Sequence, residues 1–274
     1  MSDDRRAAIA GVFDRAAGTY DAVGVDFFSV FGAQLVADAE VIAGERVLDV
    51  GCGRGASLLP AARAVGPGGA VVGVDLAPAM VAATAVDAQR LSLDHVNVVV
   101  GDAQEPPVTG PFDVVLAGLV LFFLPDPPAA LRAYQALLRP EGRLAFTWFG
   151  PDDEHWDWLD PLMRDLGAPQ SPSRTGHFSD LDSVHALVEQ GGFTDIDTQE
   201  RTHPTVFADP QQWLTWVWSQ GMRYVLERAT PEQLADFQSA AYAELARMST
   251  EGGSIALRSV VRYTTATAPP EDPR

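Results

Sequence analysis

The amino-acid sequence predicts an α/β protein with a doubly wound, mostly parallel sheet of seven strands. Short β-branched runs alternate with segments of helical spacing between residues 44 and 206, and glycine- or proline-rich breaks separate them. Such alternation is typical of right-handed crossovers, which set the strands side by side in parallel. The runs at 71–75, 96–102 and 112–118 are almost wholly apolar, as parallel strands buried on both faces are.

Turn signals bound each predicted element. Helices stop at Gly66-Pro67-Gly68-Gly69 and at Arg139-Pro140-Glu141-Gly142, where glycine and proline cannot continue them. The predicted strands are 47–50, 71–74, 96–100, 112–116, 143–148, 193–201 and 255–264, and the helices between them are 57–65, 78–91, 127–138 and 183–190.

Helical segments are predicted at both ends of this region. Apolar residues recur at helical spacing from Ile9 to Val36, which predicts an N-terminal helical lid over residues 1–43. Residues 151–180 mix acidic and aromatic side chains, as a loop or lid over a site does, within a core spanning 44–206. The remaining segments are a cap of two amphipathic helices at 207–250, a final core strand at 251–264, and a proline-rich, disordered tail at 265–274.

Composition excludes several kinds of function. The net charge is −18, from 19 basic and 37 acidic residues, so no basic surface is available for nucleic acid. All the basic residues are arginine, which rules out a Schiff-base lysine and a Walker-type phosphate lysine. The single cysteine, Cys52, allows no intrachain disulfide. We therefore expect a cytoplasmic protein, without membrane insertion because no run reaches the ~20 apolar residues of a span, and a homodimer is compatible with it.

The stretch VLDVGCGRGA, residues 47–56, joins the first strand to a helix through a glycine turn. It fits G-x-G-x-x-A, the dinucleotide fingerprint, but it also contains D-x-G-x-G-x-G, beginning at Asp49. A carboxylate at Asp49 would repel a pyrophosphate, whereas it suits a ligand with an ammonium or sulfonium group.

Two further acids follow the next strands. Asp75 comes twenty residues after Gly55, and its carboxylate can accept both hydrogen bonds of a ribose diol, in NAD or in another nucleoside. Asp102 opens GDAQE after the third strand. An acceptor beside a backbone N–H at that point can bind the amino group and ring nitrogen of adenine. An NAD-dependent oxidoreductase is rejected, because the chain has no lysine for a Tyr-x-x-x-Lys pair.

The motifs together resemble class I S-adenosylmethionine-dependent methyltransferases, of the group that includes the ubiquinone/menaquinone-type and small natural-product enzymes. The resemblance covers about residues 10–200 and implies a Rossmann-like fold with N-terminal helices and a helical cap. The matching blocks are FDRAAGTYD (13–21), VLDVGCGRG (47–55), VVGVDLAPAM (71–80), VVVGDAQEPP (98–107), FDVVLAGLVLFFLPDP (112–127), LLRPEGRLAFTW (137–148) and GGFTDI (191–196).

The resemblance implies residues for the methionine end of the cofactor. Asp49, Gly51 and Gly53 would hold the methionine moiety. Ala117, at the end of the fourth strand, would face it, and Tyr20 would close over its carboxylate.

The resemblance likewise implies residues for the nucleoside. Asp75 would bind the ribose hydroxyls, with Leu76 and Met80 against the adenine. Asp102 and the backbone of Ala103 would contact the adenine edge. Core packing is the alternative role for Leu76 and Met80.

The segment after the fourth strand is apolar where many relatives carry histidine or another polar residue. Leu121 and Phe122 lie in this segment, which serves either as helix packing or as the wall of a site for a lipophilic substrate without a base. Further aromatic residues could line such a pocket or form cap core: Phe27, Phe28, Trp148 and Trp213. Candidate bases come from the lid: His177, His155 and Glu154.

The leading hypothesis is S-adenosylmethionine-dependent methyl transfer to a small, largely apolar metabolite of specialised metabolism, with oxygen, nitrogen or carbon as the acceptor. The alternative is a protein with the same fold that uses the cofactor structurally, such as a cyclase. Detection of demethylated cofactor during turnover distinguishes the two. No metal is expected.

Overall fold

A computed structural model describes residues 3–169, 175–250 and 252–271, with the backbone alone for residues 3–8. The strands are β1 Arg46–Val50, β2 Ala70–Asp75, β3 Val96–Val100, β4 Phe112–Gly118, β5 Leu138–Phe149, β6 Thr194–Phe207 and β7 Ile255–Thr267. The helices are α1 Asp3–Ala16, α2 Phe28–Asp38, α3 Leu58–Val65, α4 Pro78–Arg90, α5 Pro127–Leu137, α6 Leu159–Asp165, α7 Leu181–Gln190, α8 Pro210–Trp218, α9 Arg223–Leu226 and α10 Pro231–Met248.

The seven strands form one sheet in the order β3-β2-β1-β4-β5-β7-β6. The first five strands pair in parallel, and β7 runs antiparallel to β5. The direction of winding reverses between β1 and β4, which is where ligands bind in open sheets of this kind. The predicted doubly wound, mostly parallel fold is confirmed.

Apolar strands and helix faces build the core around this reversal point. Four of the five residues of β1 are buried, as expected for a central parallel strand. Helix α2 approaches the loop after β1 at Gly32, where a Cβ atom would lie 2.1 Å from the Ala56 carbonyl oxygen. Glycine at position 32 therefore lets a helix rest directly on the backbone that follows the glycine turn.

The chain divides into two compact units. The first comprises the described parts of 1–27, 150–171 and 202–260, and the second those of 28–149, 172–201 and 261–274. This division groups α2 with the sheet, whereas the sequence grouped it with the N-terminal lid.

Aromatic packing and ion pairs hold the first unit together. The ring of Trp213 on α8 lies 6.0 Å from that of Trp156 and 5.7 Å from that of Trp158, between ring centroids. Glu227 accepts hydrogen bonds from Arg15 on α1 and from Arg223 on α9. Hydrogen bonds from Arg15, then from Arg223, outweigh burial and lower the pKa of Glu227 to about 2.

The predicted tail requires a correction. The last strand does not end at 264, because Thr265, Ala266 and Thr267 pair with Ala145, Leu144 and Arg143. The Ala268 N–H then donates to the Gly142 carbonyl oxygen at 2.8 Å. Pairing with β5 therefore orders residues that were predicted to be disordered. Residues 272–274 of the tail and 170–174 of the lid lie outside the described ranges.

Two other elements differ from the sequence prediction. The cap carries α8, α9 and α10 in place of two helices, since the chain turns at Ser219–Met222. The lid segment contains α6 and is not wholly loop. No helix in the described part of the chain is both long and apolar enough to cross a membrane.

Candidate functional site

The carboxyl ends of β1, β2 and β3 meet around the glycine turn. The Gly51 and Cys52 N–H groups donate to the Val74 carbonyl oxygen at 2.7 and 3.1 Å. The Gly101 N–H, after β3, donates to the Asp75 carbonyl oxygen at 2.9 Å. Backbone hydrogen bonds thus hold the three predicted binding loops side by side.

The glycine turn is close-packed at one position and open at another. Gly51 has a φ of +66°, and a Cβ atom there would lie 2.5 Å from Val120 Cγ2. Gly53 has a φ of +49°, but a Cβ atom there would meet nothing within 4 Å. Gly51 therefore serves packing, whereas Gly53 borders open space that a ligand can occupy.

Helix α4 fixes the turn through two side chains that the sequence analysis missed. Thr84 Oγ1, wholly buried, donates to the Gly53 carbonyl oxygen at 2.6 Å. Asp87, one helical turn further on, accepts from Arg54 Nη2 at 2.5 Å. A threonine within a helical apolar pattern gives no signal of such a role, because its partner lies 31 residues away.

Asp75 is oriented by backbone donors. Its Oδ2 accepts from the Gly53 N–H at 2.8 Å, and its Oδ1 accepts from the Ala77 N–H at 2.9 Å. The predicted ribose-binding carboxylate is therefore also a support of the glycine turn. Nearby, Leu76 is half-buried and Met80 is buried in the core.

Replacing Asp75 with alanine is expected to weaken S-adenosylmethionine binding by about 1–3 kcal/mol, because ribose hydroxyls and the Gly53 N–H would lose their acceptor. Calorimetric titration measures this loss. Asp75→Asn is the matched control, since it keeps one acceptor oxygen and should bind more tightly than Asp75→Ala. Wild-type affinity in Asp75→Ala would refute the placement of the nucleoside.

Asp49 is a buried carboxylate with an acceptor atom to spare. It is 1% exposed, and its Oδ2 has no hydrogen-bond partner in the described residues. Burial, with the neighbouring charge of Asp75, raises the pKa of Asp49 well above its usual range. Because a cation would stabilise this carboxylate, the residues fit a ligand with an ammonium or sulfonium group.

Cys52 lies in the same turn and is buried. Burial, with the charges of Asp49 and Asp75, raises the pKa of its thiol well above the ordinary value. The thiol therefore stays protonated and does not serve as a nucleophile.

The segment after β3 contains a second group of fixed polar atoms. Asp102 Oδ1 accepts from the Gln104 N–H at 2.9 Å. The carbonyl oxygen of Ala103, a buried residue, accepts from the Tyr134 hydroxyl at 2.6 Å. Tyr134 was not singled out in the sequence, where it reads as an ordinary core position of α5.

The end of β4 leads into a 3₁₀ turn, Leu121–Phe123. Ala117 is buried in the strand, and the Leu119 N–H donates to Thr147 Oγ1 at 3.0 Å. Leu121 is wholly buried and Phe122 nearly so, whereas Phe123 is 39% exposed. In this apolar segment Phe123 is therefore the exposed aromatic side chain, and a substrate role for Leu121 and Phe122 stays a prediction.

Other predicted site residues are dispersed. In the second unit, Trp148 is buried with its Nε1–H donating to Thr264 Oγ1 at 3.2 Å, Phe28 is half-buried and His177 is exposed.

In the first unit, the centroid of the Phe27 ring lies 4.9 Å from that of Trp216, Tyr20 is half-buried, and Trp213 lies in the aromatic cluster. His155 and Glu154 are exposed. The structure thus brings together Asp49, Gly51, Gly53, Asp75, Asp102 and Ala103, and the binding roles of these and of the other residues stay predictions.

No group of metal-ligating side chains occurs in the part of the chain that the structure describes.

Residues 43–202 match the family described as "Methyltransferase domain". The nocamycin O-methyltransferase of Saccharothrix syringae is 37% identical over 273 residues, which cover 93% of this chain and 96% of that protein. The aklanonic acid methyltransferase DauC of Streptomyces sp. (strain C5) is 43% identical over 140 residues, which cover 51% of this chain and 64% of that protein.

A solved structure of similar fold is that of the [4+2]-cyclase SpnF. Its TM-score is 0.57 at 20% identity, with 88% of this chain and 81% of that chain covered. Because one fold serves different chemistries, this likeness concerns the architecture alone. The matches in sequence decide the family. The chain belongs to the methyltransferase domain family, as a class I S-adenosylmethionine-dependent methyltransferase that acts on a small metabolite.

Proposed function

We propose that the acceptor atom is an oxygen of a small, largely apolar natural product. The observation that carries this proposal is the similarity to a nocamycin O-methyltransferase over nearly the whole of both chains. The similarity to an aklanonic acid methyltransferase supports a small-molecule substrate. An acidic surface, with a net charge of −18, also suits a small molecule better than a polyanion.

The cofactor would be held by the strand ends of the second unit. Asp49, Gly51, Gly53 and Ala117 would bind its methionine part, and the role of Tyr20 at the cofactor carboxylate stays what the resemblance implies. Asp75 would bind the ribose, with Leu76 and Met80 against the adenine ring, while Asp102 and Ala103 would bind the adenine edge. When bound, S-adenosylmethionine supplies a methyl group activated by the positive sulfonium. The buried carboxylate of Asp49 complements positive charge on the ligand.

A hydroxyl acceptor must lose its proton, and His155 is the best-supported base. Its Nδ1 lies 2.8 Å from Asp153 Oδ1, the arrangement in which a carboxylate orients an imidazole and leaves Nε2 to take a proton. Burial would raise the pKa of Asp153, but hydrogen bonds from His155 outweigh it and lower that pKa. Asp153 thus stays ionised beside the ring. The side chains of His177 and Glu154 have no comparable hydrogen-bond partner among the described residues, and they are the weaker candidates.

Apolar side chains would bind the rest of the substrate and exclude water. Phe123 offers exposed aromatic surface after β4, and Phe28 is half-buried on α2. The other predicted pocket residues are Phe27, Leu121, Phe122, Trp148 and Trp213. We also propose that the enzyme is cytoplasmic, which its single buried thiol fits, and that it forms a homodimer, to be tested by light scattering.

Turnover of candidate acceptors tests the proposal. Incubation with S-adenosylmethionine and either aklanonic acid or the demethylated precursor of nocamycin should yield S-adenosylhomocysteine and an O-methylated product, identified by mass spectrometry and NMR. A chemically altered acceptor without S-adenosylhomocysteine would favour the structural-cofactor alternative. Methylation at carbon or nitrogen would refute the oxygen acceptor.

His155→Ala is expected to lower kcat by about 10²–10⁴-fold, because the acceptor would lose its base. The affinity for S-adenosylmethionine should stay unchanged. His177→Ala is the matched control and should retain wild-type kcat. The reverse pattern would assign the base to His177, and no effect of either change would leave proximity and desolvation as the catalytic means.

A further inference from the structure

The segment after β3 is tied to helix α5 at two points. Near the start of the helix, the Asp126 N–H donates to Gln104 Oε1 at 3.0 Å. Further along, the Tyr134 hydroxyl donates to the Ala103 carbonyl oxygen at 2.6 Å. Asp102 Oδ1 in turn accepts the Gln104 N–H at 2.9 Å. Ala103 is therefore hydrogen-bonded to α5 directly, and Asp102 is linked to the start of the same helix through Gln104.

The two ties define an orientation. Asp126 caps α5, since its Oδ1 accepts the Ala129 N–H at 2.9 Å, so the first tie starts from a fixed helix end. Eight residues separate it from Tyr134, which corresponds to about 12 Å along a helix. Two ties at this separation stop the segment from rotating about either one.

Tyr134 is packed among apolar residues of the core. The side chain is fully buried in the core between the sheet and α5, together with Phe112, Leu131 and Leu138. Burial, with the negative charge of Asp102, raises the pKa of its hydroxyl above the ordinary value. The hydroxyl therefore remains a donor at physiological pH. Phenylalanine would fill the same space and would need no hydrogen-bond partner. What the tyrosine hydroxyl adds is therefore its hydrogen bond to the Ala103 carbonyl oxygen.

We propose that Tyr134 is a positioning residue for cofactor recognition, which fixes the Ala103 peptide and the adjacent Asp102 in the arrangement that discriminates adenine from other bases. The inference rests on the proposed contact of Asp102 and Ala103 with the adenine edge. Tyr134 itself lies behind that segment and acts through it. Its hydroxyl would thereby set selectivity for the base, in addition to supporting the fold.

A pair of nucleosides tests this role. S-inosylhomocysteine differs from S-adenosylhomocysteine at the base edge, where a carbonyl oxygen replaces the amino group. Calorimetric titration of the full-length protein with both compounds gives an affinity ratio, which should favour S-adenosylhomocysteine strongly in the wild type. Tyr134→Phe should lower that ratio by about 2- to 12-fold, the effect of one hydrogen bond. Gln104→Leu removes the other tie from a partly exposed position and should lower the ratio in the same direction.

Tyr263→Phe is the matched control, because Tyr263 is equally buried but lies on β7, four positions from β2 in the sheet. It should leave the ratio unchanged even if its melting temperature falls. If Tyr134→Phe and Gln104→Leu both keep the wild-type affinity ratio but melt at lower temperatures, Tyr134 has only a structural role. That result would overturn the inference about Tyr134 and leave the proposed cofactor site in place. Failure of the wild-type protein to bind S-adenosylhomocysteine would instead refute the proposed site, and the inference with it.

Discussion

Replacing Gly51 with alanine is expected to destabilise the protein strongly and to abolish measurable cofactor binding. The residue has a φ of +66°, and an L-residue in that region costs about 1–2 kcal/mol. Its Cβ atom would also lie 2.5 Å from Val120 Cγ2 and 2.9 Å from Val120 Cβ. Because valine is stiff at χ1, this contact adds an overpacking cost of about 1–3 kcal/mol. Thermal unfolding and calorimetric titration measure the two effects.

Gly53→Ala is the informative comparison. Its φ is also positive, but its Cβ atom would meet nothing within 4 Å, so only the conformational cost applies to folding. We expect a small loss of stability together with a clear loss of S-adenosylmethionine affinity, because the added methyl group would occupy the open space beside the turn. The double variant Gly51→Ala/Val120→Ala should regain stability relative to Gly51→Ala. Equal stability of the two single variants would contradict the packing assigned to Val120.

The sequence predicted the site residues best where they stand at the carboxyl ends of parallel strands. Asp49, Asp75 and Asp102 each stand at or beside the carboxyl end of a parallel strand, so the alternation of elements alone brought them together. Gly51 and Gly53 were both recognised, but their different surroundings were not, since the contact at Gly51 comes from Val120, 69 positions away in the chain. Local patterns define elements and leave such contacts undetermined.

The features that escaped prediction depend on long-range partners. Thr84 and Tyr134 sit at positions where helical spacing indicates core, and their partners lie 31 residues away in each case. Leu119 adopts a φ of +52°, and the chain after it turns Leu121 into the core and Phe123 outward. The continuation of β7 through Thr267 depends on pairing with Arg143, which no local signal in the proline-rich tail reveals.

Replacing Asp49 with asparagine is expected to raise the stability of the ligand-free protein at neutral pH while weakening cofactor binding. The carboxylate is buried, close to Asp75, and one of its oxygens lacks a donor in the described residues. Asparagine removes the buried charge and keeps one acceptor oxygen. The bound ammonium group would in turn lose a charged partner, a loss of about 1.5–3 kcal/mol, or about 10- to 150-fold in affinity.

The pH dependence gives the sharper test, because the pKa of Asp49 is raised in the folded state. A raised carboxyl pKa means that the unfolded chain ionises first, so the free energy of unfolding falls as pH rises from the usual aspartate range to the raised value. The difference between Asp49→Asn and wild type isolates this effect, since both proteins share Glu227 and its lowered pKa. Thermal melts from acid to alkaline pH should therefore show the advantage of the variant growing with pH.

Cofactor affinity should depend on pH in the opposite direction to stability, because both depend on the ionisation of Asp49. A cation beside Asp49 favours the ionised carboxylate, so wild-type protein should release a proton when S-adenosylhomocysteine binds below the raised pKa. Its affinity should then increase with pH, by up to about tenfold per unit. Titrations in buffers of different ionisation enthalpy measure that proton directly. Asp49→Asn should release none at this site, because asparagine does not titrate. Identical proton release from both proteins would show that Asp49 does not contact the cationic end of the cofactor. If Asp49→Asn is instead less stable than wild type at every pH, the charge of Asp49 is compensated in the ligand-free fold.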